Sequence, residues 1–146
     1  KHKLVIVGSM GWKQSVILEY IKHKDLEKDV VFMGHIPTND LPGIYNAAEL
    51  FIYPSIYEGF GLPPLEAMAC GCPLVSSNTS SIPEVVGDAG ILVNPYQIQE
   101  LSDSILMVLH DDNLRKNLIK KGLDRSKWFS WDKCAQETLA IYESCE

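Results

Sequence analysis

Short, largely apolar runs alternate with amphipathic stretches up to residue 93. The runs occupy residues 4–7, 30–33, 50–53, 74–76 and 91–93. Each is continuous rather than alternating, which is the pattern of strands that are buried on both faces of a parallel sheet. We therefore predict about five parallel β-strands.

The stretches between these runs have the periodicity of helices. They predict helices at residues 14–23, 41–48 and 62–69. Asp40 is the expected N-cap of the second helix. Pro63 and Pro64 favour the start of the third helix, and Gly71 favours its end.

Beyond residue 93 the pattern is helical only. Apolar residues recur at intervals of three and four from Ile98 to Leu109, and Leu114 and Leu118 continue the pattern in a second helix. A last helix is expected to begin at Ser130, which has the side chain of an N-cap.

The alternation of strands and helices predicts an α/β fold, a Rossmann-like open parallel sheet flanked by helices. Such folds bind ligands outside the carboxyl ends of their strands. The loops of interest are therefore those at residues 8–12, 34–40, 54–61 and 77–81. Ser81 is expected to cap a short helix with Glu84 in its first turn, and a place in the ligand pocket is the alternative for this carboxylate.

Composition and charge narrow the class of protein. A length of 146 residues fits one domain. The hydrophobic fraction of 46% and the charged fraction of 22% are those of a soluble globular protein. The net charge of -6 argues against a nucleic-acid partner. The cysteines have neither zinc-ligand spacing nor the arrangement of a disulfide framework, so we expect reduced thiols in a cytoplasmic protein.

The chain opens with Lys1-His2-Lys3 directly before the first strand, without an initiator Met and without a signal peptide. We therefore expect a piece of a longer protein. A basic cluster comprises Arg115, Lys116, Lys120 and Lys121. It is expected to form a solvated helix face, with a weak contact to anionic membrane lipid as the alternative.

The loop after the third strand carries the most chemistry. Gly59 and Gly61 leave backbone amides open to a ligand. The helix that follows has unpaired N–H groups and a dipole that favour an anion such as a diphosphate. Glu58 and Glu66 flank this segment, and carboxylates accept strong hydrogen bonds from hydroxyls. A diphosphate with a sugar at each end satisfies these features, and nucleotide sugars have that layout.

Glu58 and Glu66 lie eight positions apart with Gly-Phe-Gly between them. This arrangement resembles the E-x7-E motif of the family 4 glycosyltransferases, which have the two-domain GT-B fold. Further matching segments are Pro54-Ser55, residues 66–73, residues 83–86 and residues 129–131. The resemblance covers essentially the whole chain in order. It implies the C-terminal, donor-binding half of such an enzyme, without the N-terminal acceptor domain and without the first strand and helix of this half.

The resemblance also implies roles for individual residues. Glu58 is the implied catalytic position and contacts hydroxyls of the transferred sugar. The backbone amides of Phe60 and Gly61 line the same pocket. The amide of Leu62 meets the diphosphate, and Glu66 accepts hydrogen bonds from the ribose.

The remaining donor-binding positions implied by the resemblance are Gly59 in the same loop, Gly8 at the ligand crevice, and Gly34, His35 and Ile36, whose backbone reads the base. Family members carry an Arg and a Lys that neutralise the diphosphate upstream of this chain. Lys13 is the nearest replacement here. Without those charges we expect weakened binding of the donor and no turnover by the piece alone.

The implied reaction is transfer of a hexose, mannose or glucose, with retained stereochemistry and with neither metal nor cofactor. The donor is a UDP-, GDP- or ADP-sugar, and the acceptor is a glycan or a lipid-linked sugar bound through the missing domain. The resemblance places the full-length enzyme in the cytoplasm, with peripheral association at the inner face of the membrane as a further expectation.

Two other functions stay open at this point. The first is a non-catalytic nucleotide-sugar binding module, which would have the same sequence features. The second is an NAD-binding Rossmann domain, suggested by the glycines at residues 8 and 11. That segment lacks the third glycine of a dinucleotide fingerprint, and no acidic residue ends the second strand.

Overall fold

The computed structural model describes residues 2–9, 11 and 14–145, except for the side chain of Gln14. Within these residues the strands are β1 (Leu4–Val7), β2 (Val30–Gly34), β3 (Phe51–Tyr53), β4 (Leu74–Ser77) and β5 (Ile91–Val93). The helices are α1 (Gln14–His23), α2 (Leu41–Ala47), α3 (Leu62–Ala69), α4 (Ile82–Val86), α5 (Ile98–His110), α6 (Asp112–Ser126) and α7 (Trp131–Glu143), with a 3-10 turn at Thr38–Asp40. The prediction of an α/β fold with about five parallel strands is confirmed.

The chain forms two compact units, residues 1–41 and residues 42–146. In the first unit β1 pairs with β2 in parallel, and the register shifts between Ile6 and Val7. Leu4, Val5 and Val7 stay exposed in β1. Burial on both faces, as predicted for every strand, is therefore wrong for β1. A sheet of two strands has few neighbours that could cover it.

In the second unit the strand order is β3-β4-β5, and all pairings are parallel. Every residue of the central strand β4 is buried. Neighbouring side chains of a strand point to opposite faces. Leu74 packs with Met68 and Val86 from α3 and α4, whereas Val75 packs with Val108 and Leu118 from α5 and α6. Helices on both faces thus hold β4 rigid and fix the position of the loops at its carboxyl end.

Three of the predicted caps can be compared with the structure. Ser130 caps α7 as predicted, since its side chain accepts a hydrogen bond from the N–H of Lys133. Asp40 is not the N-cap of α2, because it belongs to the 3-10 turn that runs directly into this helix. Ser81 stands at the N-cap position of α4 but makes no side-chain cap bond, since its hydroxyl is engaged by another loop.

Among the described residues, no helix combines the length and the apolar character that crossing a membrane requires.

Candidate functional site

The start of α3 depends on the backbone of Gly61. This residue is buried and precedes the helix with φ 107° and ψ 49°, in the left-handed region. A Cβ atom added here would lie 2.8 Å from Cδ1 of Ile82. Only glycine combines this φ with this close approach. Gly61 therefore fixes where the loop of residues 54–61 ends and where α3 begins.

Within the described residues, the N–H groups of Gly59, Phe60, Gly61 and Leu62 form a run of free donors. No other described group accepts a hydrogen bond from any of them. Consecutive N–H groups around a left-handed residue form a concavity that binds anions. Pro63 and Pro64 have no N–H, so the first turn of α3 adds no donor at those two positions. Most of the N–H groups that could bind an anion here therefore belong to the loop, whereas the sequence placed the expected anion site at the start of the helix.

The carboxylate of Glu58 is half-buried, and one of its oxygens accepts hydrogen bonds from the protein. The hydroxyl of Tyr53 donates to Oε1 across 2.5 Å, and the hydroxyl of Ser55 lies 2.8 Å from the same atom. In the part of the chain that the structure describes, Oε2 has no hydrogen-bond partner. It is left as an acceptor for a ligand hydroxyl.

The backbone of Glu58 is held by the loop between β4 and α4. Its N–H donates to Oγ of Ser80 across 3.0 Å. The hydroxyl of Ser81 lies 3.0 Å from the carbonyl oxygen of Glu58 and 2.8 Å from that of Phe60, so its hydrogen is shared between them. Ser80 itself has a φ of 52°, a strained value for a residue other than glycine. These bonds explain why Ser81 does not cap α4.

Glu66 lies one turn into α3 and is also held on one oxygen. The hydroxyl of Tyr45 donates to Oε2 of Glu66 across 2.9 Å. Tyr45 is 8% exposed, and its ring meets Phe51 edge to face with centroids 5.3 Å apart. Phe51 in turn stacks on Tyr53 at 5.7 Å. A row of three rings therefore links the donors of both carboxylates.

Both tyrosines remain donors over the physiological pH range. Burial raises the pKa of the Tyr45 hydroxyl above its usual value, and the hydrogen bond to Glu66 raises it further. Burial and the hydrogen bond to Glu58 do the same for the pKa of Tyr53. The proton of each pair stays on the tyrosine, and the glutamate accepts.

A cleft of about 350 Å³ opens beside the loop. Its lining consists of Gly59, Phe60, Ser81, Glu84, Val85, Arg125, Trp128, Phe129 and Lys133. Glu84 thus lines a pocket, as in the alternative prediction for this carboxylate. The sequence did not predict site roles for three of these residues, Arg125, Trp128 and Lys133. The only local signal was a cation followed by two aromatic residues.

Sequence-predicted site residues of the first unit lie where β1 and β2 end. Gly8 and Gly34 both have positive φ, and the N–H of Gly8 donates to the carbonyl of Gly34 across 2.8 Å. His35 is exposed and Ile36 is half-buried. In the loop at residues 8–12, residues 10 and 12 lie outside the described part of the chain, as does Lys13.

The structure thus brings Gly8 and Gly34 together in one unit, and Glu58, Glu66 and residues 59–62 together in the other. The second group is held in place by three residues that were not predicted from the sequence: Tyr45, Tyr53 and Ser80.

Residues 1–125 match the family model described as glycosyl transferases group 1. The chain belongs to this family. O-antigen chain mannosyltransferase B of Escherichia coli is 43% identical over 143 residues, which are 98% of this chain and 38% of that protein. Serotype-specific mannosyltransferase WbdA of Escherichia coli is 40% identical over 112 residues, which are 77% of this chain and 14% of that protein.

Solved structures agree with this membership of the glycosyl transferases group 1 family. Sucrose-phosphate synthase of Thermosynechococcus elongatus superposes with a TM-score of 0.88 at 29% identity, over 98% of this chain and 38% of that one. The Anabaena protein HepE, solved with UDP-glucose, gives a TM-score of 0.85 at 26% identity, over 97% of this chain and 41% of that one. The fold is that of the C-terminal half of GT-B glycosyltransferases. The chain spans about two fifths of these proteins.

Proposed function

We propose that this chain binds the nucleotide-sugar donor of a retaining hexosyltransferase that builds a glycan. Its donor is a nucleoside-diphosphate sugar, and its transferred sugar is mannose. The observation that carries the proposal is a run of four N–H groups at residues 59–62, flanked by two carboxylates. Among the described residues, these N–H groups and one oxygen of each carboxylate have no partner. Diphosphate and sugar hydroxyls are the groups that such a site accepts.

The relatives support the choice of sugar. Proteins 43% and 40% identical to this chain are named as mannosyltransferases, and the first of them as an O-antigen chain enzyme. The similar HepE structure contains UDP-glucose. A hexose on a nucleoside diphosphate is therefore the donor class that the comparisons favour, and a growing glycan is the favoured acceptor.

Each part of the site has one task in this proposal. Glu58 binds hydroxyls of the hexose. The amides at residues 59–62 bind the diphosphate, which extends the role that the resemblance implied for the Leu62 amide alone. Glu66 binds the ribose hydroxyls. During transfer the bond from the anomeric carbon to the diphosphate oxygen breaks, and an acceptor hydroxyl oxygen bonds to that carbon. The proton of the hydroxyl passes to the departing diphosphate. Positioned N–H groups stabilise the charge that develops on the departing diphosphate, which accelerates the reaction without metal.

The test is a calorimetric titration of the protein with UDP, GDP, ADP and NAD. We expect one of the nucleoside diphosphates to bind more tightly than NAD. Glu66→Ala should weaken that nucleotide at least about tenfold, because it removes the acceptor of charge-assisted ribose bonds. Glu143→Ala on α7 is the matched control, since this carboxylate is exposed and lies outside the site. Tighter binding of NAD, or unchanged binding by Glu66→Ala, would refute the proposal.

A further inference from the structure

Each carboxylate of the site receives its protein hydrogen bonds on a single oxygen. Glu58 accepts on Oε1 from Tyr53, and Glu66 accepts on Oε2 from Tyr45. For the described residues, the second oxygen of each has no partner. A carboxylate held in this way has a fixed plane, and its free lone pairs point in a fixed direction.

Tyr53 is the dominant donor to Glu58. The hydroxyl of Ser55 also lies 2.8 Å from Oε1, but its one hydrogen is contested by the carbonyl of Tyr57 at 3.2 Å. Tyr53 has no such competitor within the described residues, and its bond is the shorter one, at 2.5 Å.

The ring of Tyr53 cannot swing away from the carboxylate. It stacks on Phe51 and packs against the buried cluster of Met68, Leu74 and Val85. Tyr53 is also the last residue of β3, which pairs with the fully buried strand β4. A rigid side chain loses little rotamer entropy when its hydroxyl makes a hydrogen bond. Its hydroxyl is therefore a fixed point against which Glu58 is oriented.

We propose that Tyr53 is a positioning residue that aims Glu58 at the hydroxyls of the transferred sugar, and that Tyr45 aims Glu66 at the nucleoside in the same way. This inference rests on the proposed function and adds residues that lie outside the E-x7-E motif. The two tyrosines divide the donor between them: Tyr53 acts on the sugar half and Tyr45 acts on the nucleotide half.

If Tyr53 acts on the sugar and Tyr45 acts on the nucleotide, loss of each hydroxyl changes ligand affinity in a different way. A purely structural role of the two tyrosines would not produce this difference. Without the Tyr53 hydroxyl, Oε1 of Glu58 is free to turn toward the ligand, and the carboxylate loses its fixed orientation. The affinity for the complete nucleotide sugar falls, while the affinity for the bare nucleoside diphosphate stays the same. Loss of the Tyr45 hydroxyl weakens both ligands equally, because both contain the ribose.

The experiment compares Tyr53→Phe with Tyr45→Phe, each of which removes one hydroxyl and keeps the ring. Dissociation constants are measured for GDP and GDP-mannose, and for UDP and UDP-glucose. We expect Tyr53→Phe to weaken the nucleotide sugar about tenfold and the nucleoside diphosphate less than about twofold. Tyr45→Phe should weaken both by the same factor, again about tenfold. Equal effects of Tyr53→Phe on both ligands, or no effect on either, would overturn the inference.

A double-mutant cycle checks that Tyr53 acts through Glu58. In a Glu58→Gln background, Tyr53→Phe should have a much smaller effect on nucleotide-sugar affinity than it has alone. Additive effects would contradict the inference. If Tyr53→Phe does not fold, the cycle is run on Tyr45→Phe in a Glu66→Gln background. The effect of Tyr45→Phe on nucleotide affinity should there be much smaller than it is alone, and additive effects would contradict the inference.

Failure of this inference can be told apart from failure of the proposed function. If the wild-type protein prefers NAD, or if Glu66→Ala binds normally, the proposed function is wrong and the inference falls with it. If the wild-type protein and Glu66→Ala behave as expected but Tyr53→Phe is not selective, only the positioning role is wrong.

Discussion

Gly61 carries the sharpest steric constraint of the candidate site. An alanine here needs an unfavourable φ of 107° and puts its Cβ 2.8 Å from Ile82, a core residue with 0% exposure. We expect Gly61→Ala to lower the free energy of unfolding by about 2 to 4 kcal/mol, from backbone strain and overpacking together. Urea denaturation of the two proteins measures the difference.

Gly59 is the matched control for this substitution. It lies two residues away in the same loop, has no positive φ, and would place an added Cβ in open space. Gly59→Ala should change the free energy of unfolding by less than about 0.5 kcal/mol. Equal destabilisation by both variants would contradict the steric argument.

The two glutamates and the glycines could be predicted as a site because their spacing in the chain already indicates chemistry. Their hydrogen-bond partners could not. Tyr45 lies 21 residues before Glu66 and on a different helix, and its position there is that of an ordinary core aromatic residue. The packing of three aromatic rings determines which oxygen of each carboxylate accepts a hydrogen bond from a tyrosine. No sequence pattern specifies that packing.

Strands and helices were predicted more completely than side-chain contacts. The predicted bounds of β1, β5, α1 and α3 match the structure, because continuous apolar runs and helical periodicity are local signals. Caps were harder to predict. The hydroxyl of Ser81 could serve α4 or the loop around Glu58, and only the folded arrangement decides in favour of the loop.

The side chain of Arg125 joins helices α4 and α6. Its Nε donates to the carbonyl of Val85 across 3.1 Å, and its Nη2 donates to that of Glu84 across 2.5 Å. The guanidinium also lies 5.0 Å from the ring centroid of Trp128. These carbonyls belong to α4, which follows the serines that hold the backbone of Glu58. Arg125 therefore stabilises the support of the candidate site.

We expect Arg125→Met to lower the free energy of unfolding by about 1 to 3 kcal/mol, because two charge-assisted bonds to helix carbonyls are lost while the apolar stem is kept. Lys127→Met is the control. Its ammonium pairs with Asp124 in solvent, and such pairs contribute less than about 1 kcal/mol. Urea denaturation measures the free energy of unfolding of both variants. Equal stability of the Arg125→Met and Lys127→Met proteins would disprove the stabilising role of Arg125.

The two compact units of the chain differ in how their sheets are buried. In residues 42–146 the central strand β4 has a neighbour on each side, and all four of its residues are buried. In residues 1–41 the sheet has two strands, and apolar side chains such as Val5 and Val31 are exposed. The exposed strand β1 has the sequence Leu-Val-Ile-Val and is more hydrophobic than the buried strand β4, which has the sequence Leu-Val-Ser-Ser. Hydrophobicity alone therefore predicts the wrong order of burial. Burial depends on the number of neighbouring elements, which the strand itself does not encode.

This difference in burial predicts an order of amide hydrogen exchange. Amides open locally where few apolar contacts are lost on opening, and only near-global unfolding exposes amides in a well-covered strand. We expect the amides of Val75 and Ser76 in β4 to exchange at least about tenfold more slowly than those of Val31 and Phe32 in β2. Hydrogen exchange followed by NMR resolves these residues singly. Equal protection of the amides in the two strands would contradict this expectation. It would mean that β2 opens only when β4 opens, although fewer of the side chains of β2 are buried.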